Sequence, residues 1–215
     1  MLIINLLQAN PIVALAFIAG LVIAITIHEF AHAFVAYRLG DPTAKLAGRL
    51  TLNPMSHLDP IGTLALLIIG IGWGKPTPFD PFNLRNIKRD SALISVAGAV
   101  SNFLLAILIS IPYLVAYFTG NLSVTLNSIY QILSIIIWIN LILGVFNLIP
   151  IAPLDGFKVL AGLLPREWYR DFIQTERYGI FILLLLLITG AVGRILFPIV
   201  SFFFAFLIPG LIPPF

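Results

Sequence analysis

The sequence predicts an all-α polytopic membrane protein with about four to six membrane segments, a re-entrant segment among them and short extended edge stretches beside them. Three observations carry this. Hydrophobic residues make up 60% of the 215 positions and the mean hydropathy is +1.07. Only 10% of residues are charged, where a soluble domain carries about 25%. Those few charges are bunched between long apolar runs. The pattern excludes a disordered chain, a coiled coil and a nucleic-acid-binding protein. The excess of 12 Lys+Arg over 9 Asp+Glu reads as a topology signal rather than a basic binding face. One membrane-embedded domain over residues 1–215 is expected, its motif-bearing core spanning about 11–164.

No basic residue precedes Arg38, so the start lacks the charged head of a secretory signal and is expected to be retained. Asn10-Pro11 has the form of an N-cap followed by proline at the first helical position, and the apolar run from there stops at Gly40-Asp41-Pro42. Residues 61–72 are apolar but too short to span, since a crossing needs roughly 17 to 25 residues. Both of their flanks are basic, with Lys45 and Arg49 before and Lys75, Arg85, Lys88 and Arg89 after. Two basic flanks belong on one side, so this segment is expected to be re-entrant. Residues 91–118 and about 126–149 are long enough to cross, and the uncharged connector from Thr119 to Thr125 reads as the external loop. The basic stretch 156–177 returns the chain to the cytoplasm. The apolar tail 178–213 is broken at Gly190, Gly193, Pro198 and Pro209, and allows a hairpin, a span plus a surface helix, or two crossings. Ala44 to Thr51 and the proline-rich Gly74 to Phe82 are expected to be extended edges or irregular loops.

His28-Glu29-Phe30-Ala31-His32 lies in the cytoplasmic half of the first helix. Residues four apart on a helix differ by about 40°, so both imidazoles face one point, and Glu29 at about 100° from His28 can reach past a metal toward its bound water. Three ionisable groups in one turn at membrane depth cost several kcal/mol without a purpose, which favours a metal over helix-packing hydrogen bonds. Cysteine is absent, so a metal must use His and carboxylate. Catalytic zinc commonly takes three protein ligands. Among the remaining carboxylates Asp155 stands apart, because it follows a helix broken by Pro150 and Pro153 with no basic neighbour before Lys158. Its alternative role is N-cap of the helix 156–164, and the two roles are compatible.

Taken together, His28-Glu29-Phe30-Ala31-His32 and the later Asn147-Leu148-Ile149-Pro150-Ile151-Ala152-Pro153-Leu154-Asp155-Gly156 resemble the site-2 protease family of intramembrane zinc metalloproteases. Asn53 to Gly62, Gly72 to Pro76 and Gly98 to Asn102 resemble further family signatures, in the family's order. The resemblance covers roughly residues 20–164 and implies Zn²⁺, one per chain, held by His28, His32 and Asp155, with Glu29 as general base. It implies cleavage of transmembrane protein substrates within a lipid bilayer, here a prokaryotic cytoplasmic membrane with the site open to the cytoplasm. No appended PDZ or CBS domain is expected within these 215 residues.

An oxyanion needs a hydrogen-bond donor, and the amides in apolar surroundings are Asn102, Asn140 and Asn147. Asn147, within the second motif, is the first candidate and Asn102 the second; for each the competing role is a helix-joining hydrogen bond. His57 sits in a polar loop without a second ligand at helical spacing and is left outside the site. Gly98 and Gly144 are expected to permit close helix approach. The competing functions are a polytopic metal-ion carrier, for which no inverted repeat is visible, and a catalytically inactive relative that binds membrane proteins.

Overall fold

The computed structural model describes residues 10–69 and 72–214. Among these residues it is helical with no strand, in the order α1 Pro11–Arg38, α2 Thr43–Leu46, α3 Pro60–Ile69, α4 Ile87–Phe118, α5 Val124–Asn147, α6 Asp155–Leu163, α7 Arg166–Gln174, α8 Glu176–Ile188 and α9 Ala191–Leu207. The helices α1, α4 and α5 are each long and apolar enough to cross a membrane, and α8 with α9 would make a fourth span if the bent pair is one. The polytopic expectation therefore holds. The start of the chain, residues 1–9, lies outside the described residues.

The helix α1 begins as its sequence requires. The Asn10 side chain accepts from the Ile12 and Val13 amides, 3.1 and 3.3 Å away, and Pro11 needs no amide partner. Its buried positions include Ala16, Gly20, Ala24, His28, His32 and Ala36, one every four residues. Small residues at this spacing form a ridge that lets a neighbouring backbone come close, which in lipid is what holds helices together. At Gly20 a side chain would meet the Ile136 Cα at 3.2 Å. The two histidines continue this ridge, so the packing that brings α4 and α5 against α1 also seals the imidazoles inside.

A core of Tyr113, Trp138, Leu141, Val200 and Phe204 joins α4, α5 and α9, with the Trp138 and Phe204 rings edge to face at 5.3 Å. The tail resolves into α8 and α9, bent by 76° at a break where Gly190 takes φ +71°.

The helix α3 is ten residues long, about 15 Å, too short to cross, as expected of a re-entrant segment. Gly70 and Ile71 lie outside the described residues. Its two ends are tied together by an antiparallel bridge between Leu58 and Gly74 and a 2.8 Å bond from the Lys75 amide to the His57 carbonyl. His57 is fully buried and its Nε2 lies 2.7 Å from the Thr51 carbonyl, a loop role.

The extended edge expected over 44–51 is absent: residues 43–46 form the helical turn α2, followed by a tight turn that returns the Arg49 amide to the Ala44 carbonyl at 2.8 Å. The cause is Asp41, whose carboxylate accepts from the Thr43 amide and hydroxyl, the Asp80 amide and the Asn83 side chain. Burial pushes the Asp41 carboxyl up, but these four bonds outweigh it and hold the group below the usual carboxylate range. A depressed folded value stabilises the protein above the ordinary value of about 3.9 and is lost as pH falls through the folded value. Thermal unfolding followed in detergent from pH 6 to pH 3 is therefore expected to show a steeper acid loss for the wild type than for Asp41→Asn. From Gly74 to Asp80 the run stays irregular and extended apart from the single bridge, but the last two residues of the expected stretch depart from it. Pro81–Asn83 forms a 3-10 turn, because Asp80 caps it by accepting from the Phe82 amide and proline is tolerated at a first helical position.

Candidate metal centre

The first motif and the second meet. The Asp155 Oδ2 lies 3.0 Å from His28 Nε2 and 3.2 Å from His32 Nε2. Asp155 is the first residue of α6 and makes no cap bond; Leu154 holds the cap position. Of the two roles open to this carboxylate, facing the imidazoles is the one the structure shows. The local backbone allows it because residue 156 is glycine: a Cβ there would stand 2.3 Å from the Leu148 carbonyl oxygen.

Each imidazole is oriented from behind. His32 Nδ1 is 2.7 Å from the Ile94 carbonyl, which can only accept, so Nδ1 carries the proton and Nε2 presents its lone pair. His28 Nδ1 is 2.7 Å from Asn102 Oδ1. The Asn102 amide nitrogen donates to the Ala24 carbonyl at 3.0 Å and to Asn140 Oδ1 at 2.9 Å, which fixes its oxygen as the acceptor from His28. Two lone pairs and a carboxylate oxygen thus converge on one point. Such a set is held together by a shared cation, either a proton on one Nε2 or a metal ion among the three atoms. Ligands of tetrahedral zinc at about 2.0–2.1 Å stand about 3.3 Å apart, close to the separations observed.

The space for an ion comes from Gly98 of α4. A Cβ on it would lie 2.5 Å from His32 Nε2 and 2.6 Å from both Cε1 and Nε2 of His28. Gly98 therefore does more than let helices approach: it leaves open the point on which the ligand atoms converge. The residues present fit a zinc ion.

Glu29 completes the cluster. One oxygen of its carboxylate and one ring nitrogen of each of His28 and His32 lie within 4.8 Å of one another. The Thr77 amide donates to Glu29 Oε2 at 2.8 Å, and the Thr77 hydroxyl donates to the Glu29 carbonyl at 3.1 Å. Oε1 has no hydrogen-bond partner among the described residues. Pro76 and Pro78 lack amide hydrogens, so Thr77 is the one donor in that stretch, which is a signal the sequence carries. Arg49, buried at 4% exposure, donates to the Lys75 carbonyl and fastens this run; burial lowers its pKa and the Glu29 charge opposes the shift. A hydrogen bond to a charged group contributes about 1.5–3 kcal/mol. Thr77→Pro is accordingly expected to cut turnover about 10- to 100-fold with zinc content unchanged, while Thr77→Val, which keeps the amide, stays much closer to wild type. Steady-state rates beside metal analysis check this.

The site opens into a cavity of about 180 Å³ lined by His28, Glu29, His32, Asn147, Asp155 and Lys158. Asn147 lines this space and donates from Nδ2 to the Leu143 carbonyl at 3.0 Å, so its second amide hydrogen has no partner among the described residues. Asn102 is buried with both amide hydrogens engaged, and its place is behind His28 rather than in the cavity. Sequence reasoning did not single out the Ile94 carbonyl or the Thr77 amide, because each is a backbone group brought in from a distant segment.

Comparison with known proteins bears on the family of the chain. The profile of peptidase family M50 matches residues 114–190. The chain is 39% identical over 183 residues to YwhC of Bacillus subtilis, covering 84% of each protein. It is 34% identical over 194 residues to Rip2 of Mycolicibacterium smegmatis, covering 88% of this chain and 73% of that one. Both are zinc metalloproteases by name. A zinc metalloprotease of Methanocaldococcus jannaschii is 27% identical over 69% of this chain and 34% of its own length. No solved structure gives a significant match. With two histidines, a carboxylate and an adjacent glutamate gathered among spanning helices, and with these relatives, the chain belongs to peptidase family M50, the site-2 protease family of metalloproteases.

Proposed function

We propose that this protein is a zinc-dependent intramembrane endopeptidase that hydrolyses peptide bonds in or near transmembrane segments of other membrane proteins. The observation that carries the reading is the convergence of His28 Nε2, His32 Nε2 and Asp155 Oδ2 beside a glutamate in a chain of spanning helices. His28, His32 and Asp155 would hold one Zn²⁺. When bound, zinc supplies Lewis acidity that lowers the pKa of a water molecule toward neutrality.

The rest is the work of the chain. Glu29, held at Oε2 by Thr77, keeps Oε1 free to take a proton from the attacking water and return it to the leaving amine. Asn147 offers its spare amide hydrogen to the developing oxyanion. Asn102 and the Ile94 carbonyl hold the imidazoles in one tautomer and one orientation. Two neutral imidazoles and one carboxylate also keep the centre's net charge low, which reduces its cost in a poorly polar interior.

A helical segment hides its peptide bonds, so substrate must enter extended. The catalytic cavity shares Pro76, Thr77, Phe79 and Lys158 with a larger opening of about 470 Å³ between the 76–81 run, the start of α4, α6 and α7. The Thr77 carbonyl and the Phe79 amide lack partners among the described residues, which supports docking of an extended chain along this run by backbone pairing. The basic segments flanking it support an opening on the cytoplasmic side.

The test is purified protein in liposomes with a single-span substrate. Cleavage that stops with a zinc chelator and returns with zinc is the expected result. Retained cleavage in chelator, or none with zinc present at one per chain, would overturn the proposal.

A further inference from the structure

A second polar cavity lies away from the metal centre, at the end of α1 and the start of α4. It holds about 400 Å³, and its lining includes Arg38, Arg85, Asn86, Arg89, Asp90 and Leu93. Arg38 ends α1 ten residues beyond His28, about 15 Å along the axis. Arg89 is in the first turn of α4, just after its Asn86 cap, and Arg85 immediately precedes that cap. All three arginines are exposed, and none has an ion pair among the described residues.

The single carboxylate at this cavity, Asp90, offsets one of the three positive charges and leaves an excess of two. Asp90 is 6% exposed, and its Oδ2 accepts from the Asn86 amide at 2.9 Å. Three guanidinium groups around one opening repel one another, and an anion shared among them reverses the sign of that interaction. Guanidinium is planar and its paired donors match phosphate oxygens. The apolar surroundings say where such a phosphate would come from. The Arg38 guanidinium lies 5.7 Å from the centre of the Phe34 ring, and Phe34 and Leu93 expose 43% and 39% of their surface just below the arginines. Charges at the ends of two spanning helices above an exposed apolar face sit at the depth of lipid headgroups.

We propose that Arg38, Arg85 and Arg89 bind the phosphodiester of an anionic phospholipid, with its acyl chains against Phe34 and Leu93. The site is separate from the metal centre and does not depend on proteolysis.

The test is native mass spectrometry of the full chain in detergent, titrated with phosphatidylglycerol, phosphatidylcholine or inorganic phosphate. Each basic side chain near an anionic headgroup contributes about fivefold in affinity, so Arg38→Gln/Arg85→Gln/Arg89→Gln is expected to hold phosphatidylglycerol about 100-fold more weakly. Arg166→Gln/Arg170→Gln, at exposed arginines of α7, should bind as wild type does. Should the triple variant not fold, Arg85→Gln alone is expected to lose about fivefold. Unchanged phosphatidylglycerol binding in the arginine variants, or equal retention of phosphatidylcholine, overturns the proposal. Displacement of the lipid by millimolar phosphate would overturn its lipid part, because the site would then recognise a soluble anion.

Discussion

Glu29→Gln is expected to lower peptide hydrolysis by about 10²- to 10⁴-fold, the range that a positioned general base contributes, while zinc binding is retained. The structure makes this a clean substitution. The Thr77 amide can donate only to an oxygen, so it holds the glutamine carbonyl where Oε2 stood and leaves the amide nitrogen facing the cavity. That nitrogen cannot take a proton. His28 and His32 keep their own supports in Asn102 and the Ile94 carbonyl, and Asp155 keeps its place at the head of α6. Loss of the nearby negative charge also leaves the buried Arg49 less well balanced, so a modest fall in thermal stability should accompany the loss of turnover. The same variant separates a protease from a metal carrier, which needs no proton acceptor beside the ion and would keep its flux. Rate and metal content measured on one liposome preparation decide the matter.

The second large effect belongs to a residue with no chemistry of its own. Gly98→Ala puts a methyl carbon 2.5–2.6 Å from the Nε2 atoms of both imidazoles and from Cε1 of His28. Neither ring can withdraw easily, because each is tethered at Nδ1 by a 2.7 Å bond. The methyl also takes the space an ion would fill. A displacement of about 1 Å at a reactive centre costs on the order of 10² in rate, and here metal affinity falls with it. Gly98→Ala is expected to purify with little zinc and to hydrolyse at least about 100-fold more slowly. Gly193→Ala is the matched control, since its Cβ would meet only the movable Phe197 ring at 3.2 Å. Equal zinc content in Gly98→Ala and wild type would show that the ion binds somewhere else.

These two residues also mark what the sequence discloses and what it withholds. Glu29 is legible because its spacing to His28 and His32 is set by the helix alone, and α1 is fixed by a long apolar run with Asn10-Pro11 at its head. Asp155 is legible through the two prolines that break the chain before it. The function of Gly98 depends on which face of α4 meets α1, and no local pattern specifies that. Asn102 shows the same limit: its polarity in an apolar helix marks it as significant, but only the packing places its oxygen behind His28 and spends both its donors. The turn at 43–49 departs from the extended reading because Asp41 gathers donors from as far away as Asn83. Weak alternation could not compete with a buried carboxylate that four donors satisfy. The tail 178–213 left three arrangements open because its glycines and prolines permit each of them, and the choice of a 76° bend is made with α9 packed on α5.

The account stands on a zinc ion shared by α1 and α6. X-ray absorption at the zinc edge, on wild type and Asp155→Ala prepared alike, tests it most directly. It predicts one zinc per wild-type chain, with two imidazole nitrogens at about 2.0–2.1 Å and a carboxylate oxygen at about 2.0–2.2 Å, and a variant that loses most of its metal. Full zinc occupancy in Asp155→Ala, with an unchanged coordination shell, would contradict it.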